Sequence, residues 1–420
     1  MQEVTQYWKT VNASRMCPQT SMTIDILRQD GRHPVINRDD VISYTQEING
    51  NSLSGVITSN RITFKVKNAD NALDYDSVNN NDVYANAKVN VQYGFLKENR
   101  TEYDEISGGV FYVSAVEIPA RKDQLSFTAK DLLGFMTDKY VSGWFKGSAL
   151  ELFIEVITQA SANPNVPESS IQYIVDTERM SGILMSTIPE DNYTLAEMLQ
   201  LIASACSSVC YIDRLGRVVI REISMIPETY TITNTIQYEQ VKLKYNDRVG
   251  NIKLTYSHES EVIETNNTGA VGGLQTISNP LLYDYGAANE IVNNSLGILS
   301  VGRRMISGKC RIDPRLDIFD TIVIEGDANY FAGCVVSMSL SFTGSWTGTF
   351  NVQSVSQPIP KLLTIADLEE MTINQLETYM IYQLCSEEYG ELNTISDNEG
   401  KYITTDDYLL ILYESGVQNG

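Results

Sequence analysis

Apolar and polar residues alternate with a period of two in several short runs over the first 130 residues. Met22-Ile24-Ile26, Ile62-Phe64-Val66, Val89-Val91-Tyr93 and Leu125-Phe127 are examples. A period of two places every second side chain on one face of an extended chain, so these runs predict strands with one buried face. Between them lie Gln29-Asp30-Gly31, Asn49-Gly50-Asn51 and Asn79-Asn80-Asn81-Asp82. These residue types tolerate tight or left-handed backbone and end strands. Residues 1–130 therefore read as an antiparallel β domain, a sandwich or a barrel.

The period changes between residues 131 and 224. Ser148 with Glu151 and Thr194 with Glu197 have the spacing of capping boxes, in which a hydroxyl and a carboxylate three residues on satisfy each other's backbone donors. The first helix continues through Leu152, Phe153, Val156 and Ile157 and should stop before Asn163-Pro164, because a residue preceding proline avoids helical backbone. The second carries Met198, Leu199, Leu201, Ile202 and Ala205 on its inner side. Cys210 to Asp213, a turn at Arg214-Leu215-Gly216, and Arg217 to Glu222 then predict a β-hairpin. This segment is a small α+β module.

Alternation resumes at Val241-Leu243-Tyr245, Ile252-Leu254-Tyr256 and Ile322-Ile324, interrupted by an expected helix from Tyr285 to about Leu299. Residues 225–357 are thus expected to form a second β domain. Gln357-Pro358-Ile359-Pro360 reads as a linker, and residues 358–420 as an acidic helical extension. There Thr364 with Asp367 and Thr372 with Gln375 suggest N-caps, and Thr405 and Gly416 bracket the apolar run Tyr408 to Tyr413. The predicted class is α+β, mainly β: two antiparallel β-barrel or sandwich domains flanking the module, with a C-terminal helical extension. No solenoid or propeller repeat is visible.

At 420 residues the chain exceeds the size at which single cores stop growing, which suits two or three domains. It contains no apolar stretch of roughly 18 residues, as a membrane helix needs, and Met1 to Gln6 lack the features of a signal peptide, so folding in a cytoplasm is expected. Its six cysteines, Cys17, Cys206, Cys210, Cys310, Cys334 and Cys385, are scattered and form no CxxC, which predicts reduced, mostly buried thiols. Lys and Arg number 31 against 53 Asp and Glu, a net charge of −22 that argues against gripping nucleic acid by counterion release. An acidic wall would still suit a channel through which a duplex slides, since it repels phosphates.

Candidate chemistry is sparse. The two histidines, His33 beside a turn and His258 at a strand end, lack partner spacing for a hydrolase and read as surface or turn residues. Gly269-Ala270-Val271-Gly272-Gly273 follows a polar run and precedes no clear helix, so it reads as a loop rather than a phosphate cradle. A glycosidase would need two carboxylates across a cleft, for which Asp313 and Asp317 are nominal candidates, although nothing in the spacing selects them. Cys206 and Cys210 lie one turn apart at a helix end without further ligands for a tetrahedral metal. Asp397-Asn398-Glu399-Gly400-Lys401-Tyr402, with Asp406 beyond, faintly resembles a calcium loop. In the register set by Gly400, however, the first ligand position is Ile395, which cannot coordinate, and an acidic turn is the better reading. No catalytic, cofactor or metal residue is assigned.

Several further blocks follow one another over most of residues 20–357. The first is Phe64-Lys65-Val66-Lys67-Asn68-Ala69-Asp70, then Leu73-Asp74-Tyr75-Asp76, with Tyr84 leading into Val89-Asn90-Val91-Gln92-Tyr93-Gly94. Gly109-Val110-Phe111-Tyr112-Val113 and Ala129-Lys130-Asp131-Leu132-Leu133-Gly134 follow. Next come Tyr193-Thr194-Leu195-Ala196-Glu197-Met198-Leu199 and Tyr211-Ile212-Asp213-Arg214-Leu215-Gly216-Arg217. Ile277-Ser278-Asn279-Pro280-Leu281-Leu282 and Asp313-Pro314-Arg315-Leu316-Asp317-Ile318-Phe319-Asp320 complete the series. Taken in this order, the blocks resemble the hub and baseplate proteins of tailed phages, the third pair being similar to the family's helix and hairpin. The acidic tail departs from the family's pattern, and no peptidase or lysozyme-like extension of the sort some relatives carry is expected.

The resemblance implies a non-enzymatic virion protein, synthesised in the bacterial host cytoplasm. Three copies would form a homotrimeric, pseudo-hexameric ring around the DNA channel. Its partners would be other phage tail proteins, whether tail tube, spike, fibre or neighbouring baseplate subunits, with no specific nucleic-acid binding and no transmembrane segment. Two alternatives stand beside it: a receptor-binding or fibre-attachment protein, which would use the 24 tyrosines as a binding surface, and a cell-wall hydrolase.

Overall fold

In the computed structural model, strands expected from the alternating runs join across most of the chain. The structure describes residues 7–9, 19–50, 59–68, 73, 83–99, 101–118, 123–141, 143–222, 230–245, 249–257, 261–266, 273–301, 304–326 and 329–354, with three further pairs at 359–360, 395–396 and 402–403. The first β segment contributes β1 (Thr20–Leu27), β2 (Val35–Asn37), β3 (Val41–Asn49), β4 (Ser59–Lys67), β5 (Lys88–Leu96), β6 (Tyr103–Glu117) and β7 (Gln124–Lys130). The module contributes β8 (Phe145–Ser148), α1 (Ala149–Ala162), β9 (Tyr173–Ile174), α2 (Thr177–Gly182), β10 (Leu184–Thr187), α3 (Leu195–Ala205), β11 (Val209–Ile212) and β12 (Val218–Arg221). The remainder supplies β13 (Thr231–Ile232), β14 (Lys242–Tyr245), β15 (Val249–Tyr256), β16 (Glu261–Asn266), β17 (Gly273–Asn279), α4 (Tyr285–Val301), β18 (Arg304–Cys310), β19 (Thr321–Glu325), β20 (Asn329–Phe342), β21 (Trp346–Ser354) and β22 (Ile359–Pro360).

Alternation in sequence becomes alternation in burial. In β1, Met22, Ile24 and Ile26 point inward between half-buried polar residues, as a one-sided strand requires. Among the described residues, fourteen strands share one sheet whose main path runs β14-β18-β21-β20-β3-β4-β7-β6-β5-β1-β2. The junction falls between β3 and β20, which pair antiparallel from Asn49 opposite Ser337 to Tyr44 opposite Phe342. Residues 20–130 and 304–354, expected as parts of two separate β domains, are therefore one continuous sheet over one apolar core that contains Phe64, Phe127, Trp346 and Phe350 alike. Periodicity identifies a strand but carries no information about its distant neighbour.

A second core lies in the module. Both capping boxes form as the spacing predicts, with the Ser148 hydroxyl accepting from Glu151 N and the Thr194 hydroxyl from Glu197 N. The first helix ends at Ala162, before Asn163-Pro164. Met198, Leu199, Ile202 and Ala205 are buried and Leu201 half-buried. Ile252, Leu254 and Tyr256 of β15, together with Ile291 and Val292 of α4, pack into this second core rather than into the sheet. The boundary placed at residue 225 thus does not coincide with the division between the cores.

The hairpin β11–β12 is the wall between them. Val209, Tyr211 and Val219 face the sheet core, whereas Cys210, Ile212, Val218 and Ile220 face the module core. Its turn closes through Gly216, whose φ of +80° suits glycine, with Gly216 N donating to the Asp213 carbonyl. The expected helices of residues 358–420 fall outside the described residues, except for Ile395–Ser396 paired antiparallel with Tyr402–Ile403 and for β22 against β20.

Candidate functional site

The first feature is the clamp at the wall. Arg214, in the hairpin turn, is almost fully buried. Its guanidinium donates to the Ser107 carbonyl at 3.2 Å and to the Leu316 carbonyl, and lies 3.5 Å from the Asp317 carboxylate. In return the Ser107 hydroxyl donates to the Arg214 carbonyl at 2.8 Å. One arginine therefore ties β6, the hairpin and the loop 313–320 together, with its fixed fork of donors spread over three segments. Within that loop Asp313 is fully enclosed and accepts from Arg315 Nε at 2.9 Å and from a terminal guanidinium nitrogen at 2.6 Å.

These contacts decide the glycosidase candidates. Asp313 and Asp317 are each occupied by an arginine, and Asp313 has no surface that a sugar could reach. They are structural ion pairs in a tight loop.

Asp131 marks the other crossing from sheet to module. It caps the short 3-10 helix Leu132–Phe135, accepting from Gly134 N, and its other oxygen accepts from Asn60 N at 3.2 Å. Burial outweighs those donors and pushes its carboxyl up to about 7.

The remaining sequence candidates are dispersed. His33 is exposed in the turn after β1, and His258 lies outside the described residues. Burial pushes the Cys206 thiol up to about 12 and raises that of Cys210 as well, so both are protonated, inert side chains at neutral pH. Cys310 and Cys334 are likewise buried free thiols, and Cys17 and Cys385 lie outside the described residues. Among the described residues no three His, Cys, Asp or Glu gather as a metal site. The glycine run 269–273 is described only at Gly273, the first residue of β17, and the acidic turn from Asp397 to Asp406 only at Tyr402 and Ile403. A cavity of about 160 Å³ between Tyr84, Asn86, Val113 and Phe135 falls below the usual size of a small-molecule site. No helix among the described residues is long and apolar enough to cross a membrane.

Two surface features were not anticipated. The sheet path ends in β14 at one side and β2 at the other, and each has one neighbour among the described residues. All four residues of β14 are exposed, including Leu243 at 39% and Tyr245 at 60%, so the run Val241-Leu243-Tyr245 does not turn its apolar side into the core as expected. Only Val241 packs there. Arg304 covers the Tyr245 ring at 5.7 Å. The second feature is Trp144, 82% exposed just before β8.

No protein-family model matches the sequence, and no curated protein matches it. Solved structures do match in fold. The tail protein from Neisseria meningitidis MC58 superposes with a TM-score of 0.54 at 11% identity, over 79% of this chain and 96% of that one. The 43 kDa tail protein of prophage MuSo2 from Shewanella oneidensis superposes with a TM-score of 0.53 at 12% identity, over 79% and 98%. At these identities the likeness is one of fold: the chain has the mainly β architecture of phage tail proteins.

Proposed function

We propose that this chain is a structural subunit of a phage tail, a hub or baseplate component that forms a ring around the DNA channel and connects the tube to distal spike or fibres. The observation that carries the reading is the fold shared with two tail proteins over nearly their whole lengths. The ends of the sheet support it. A subunit whose sheet ends in two unlike strands, β14 and β2, each with one neighbour among the described residues, can join head to tail, and such contacts close into a ring when the rotation permits. The net charge of −22 suits a wall past which DNA slides without adhering. The candidate carboxylates and thiols are committed to ion pairs or buried, which favours a role in geometry over one in catalysis.

The test is the mass of the purified protein by light scattering, with negative-stain images of the assembled peak. A closed trimer or hexamer with a central hole is expected, and no clearing on a peptidoglycan zymogram. A monodisperse monomer, unchanged by concentration and by added tail-tube protein, would overturn the ring and bring forward a receptor-binding role.

A further inference from the structure

Over six consecutive strands, β18-β21-β20-β3-β4-β7, the main sheet buries only one face. The side chains that alternate with the core residues are 307 and 309 of β18, 347, 349 and 351 of β21, and 337, 339 and 341 of β20. They continue through the odd-numbered residues 43–49 of β3 and 59–67 of β4 and the even-numbered residues 124–130 of β7. Register sets them on one face: Lys309, Thr349, Ser339, Glu47, Arg61 and Lys130 stand opposite one another in a single row. None of these twenty-one residues is buried, although all six strands have a neighbour on both sides. The face is open to water across the middle of the sheet.

Its chemistry differs from that of the chain as a whole. Twelve of the twenty-one positions are Ser or Thr, three are Asn or Gln, five are the cations Lys309, Arg61, Lys65, Lys67 and Lys130, and one is a carboxylate, Glu47. None is apolar. In a chain of net charge −22 this face is therefore positive, and none of its five cations forms an ion pair among the described residues. The flanking strands extend it without reversing its sign. Lys242 and Lys244 lie on the same side in β14, Lys242 with Glu239 at 3.7 Å, and Glu117 of β6 stands opposite Ser126. Asp39 and Asp40 lie in the turn at one corner, where the Asp39 carbonyl accepts from Lys67.

A stable interface with a second copy would need an apolar centre, which these positions lack. Phosphate fits the mixture, since Lys, Arg, Ser, Thr, Asn and Gln are the side chains that contact a nucleic-acid backbone. We infer that this face of the sheet binds the phosphate backbone of duplex DNA without reading its sequence; the choice of duplex DNA among polyanions rests on the proposed function, in which the channel brings it to the chain. The row crosses five strand spacings of about 4.8 Å, so a duplex laid along it presents roughly 24 Å and about 14 phosphates. Five cations neutralise a minority of these, against the long-range repulsion of an acidic chain. Contact of that strength aligns the duplex and lets it slide.

The full chain is titrated into a labelled duplex of random sequence, read by fluorescence anisotropy through a salt series, with light scattering on the same samples. Binding at low salt is expected, indifferent to base composition. Arg61→Gln with Lys65→Gln and Lys309→Gln should weaken it and flatten the slope of log affinity against log salt by about 0.9 for each cation removed from a contacting subunit. Glu47→Lys should tighten binding and steepen the slope by a similar step, a gain that a fold defect would not produce. A photo-crosslinking benzoylphenylalanine in place of Thr63, within the face, should capture DNA, and one in place of the exposed Ile154 on α1 should not. No binding at low salt, slopes unchanged in both variants, or capture only of protein from position 63 overturns the inference, and a closed ring in light scattering then leaves the channel reading standing. A monomer that captures DNA from position 63 does the reverse: it supports this face and removes the ring.

Discussion

Replacing Trp346 with alanine tests whether the two β segments are one cooperative body. The indole lies in β21, near the end of the chain's sheet, yet its neighbours come from both segments. It packs edge-on against Tyr93 of β5 at 4.5 Å and Tyr44 of β3 at 6.3 Å, and tilted against Phe342 of β20 at 4.7 Å. The two tyrosines are themselves joined, with hydroxyls 2.6 Å apart, and Tyr93 donates onward to Gln46 at 2.8 Å. Truncation to alanine removes a fully buried ring and leaves a cavity, a loss of about 3–5 kcal/mol against a total stability on the order of 5–15 kcal/mol. In hydrogen exchange followed by mass spectrometry, under conditions where exchange reports the opening equilibrium, that corresponds to a fall in protection of about a hundredfold to a few thousandfold. The fall should appear with the same factor in β18, β20 and β21 and in β1, β5 and β6, with a single shifted urea transition. Trp346→Phe should cost much less, because it keeps a ring and removes an indole N–H that finds no acceptor among the described residues. If β18–β21 lose protection while β1–β7 keep theirs, the sheet is two units that open separately and the single-core reasoning is refuted.

Three further outcomes are expected. Arg315→Met strands the enclosed Asp313 carboxylate and should destabilise by about 3–5 kcal/mol in urea unfolding, whereas the double variant with Asp313→Leu should recover much of that loss; equal losses would refute the pairing. Asp131 has a folded value of about 7, above its unfolded one, so its contribution is full below about pH 4 and is lost as pH rises towards 7. Asp131→Asn removes that slope, so relative to the variant the native protein should lose on the order of a few kcal/mol across that window, read from unfolding curves at stepped pH. Leu243→Asp with Tyr245→Asp lies on an exposed edge and should leave unfolding within about 0.5 kcal/mol while lowering the mass of the assembled species in light scattering; an unchanged assembly would take β14 out of the interface.

What could be read from the sequence was what is encoded locally. The capping boxes at Ser148 and Thr194, the helix stop before Pro164 and the turn at Gly216 each depend on side chains within a few residues of one another, and each forms where the spacing puts it. The mainly β class followed from alternation for the same reason. What stayed hidden depends on partners far apart in the chain. Nothing around Tyr44 announces that β3 pairs with β20, nearly 300 residues away, or that Arg214 reaches Leu316 and Asp317. Alternation also failed at β14, where the repeat of a strand is present but the sheet ends, so the apolar side has no layer to face. The exposed Trp144 gave no signal because a lone tryptophan between Gly143 and Phe145 reads like any loop tryptophan.

The hairpin β11–β12 shows why a ring built from this fold would hold its angles. Two units joined only by linkers move relative to one another by default, unless their interface is large and apolar. Here no linker-like boundary exists at the wall: successive residues of one strand, Val209 and Cys210, Tyr211 and Ile212, belong to different cores. Rotating the module against the sheet would have to unpack both faces of the same hairpin, and close-packed interiors resist that. Arg214 then pins the turn of this hairpin to β6 and to loop 313–320, so the wall is fixed at its tip as well as along its length. For the proposed annulus of fixed bore, the bending that matters is therefore expected at the contacts between subunits, along β14 and β2, and not within the subunit. That is also where charge is available to tune it, since Lys242 and Lys244 lie on an exposed edge of an otherwise acidic chain.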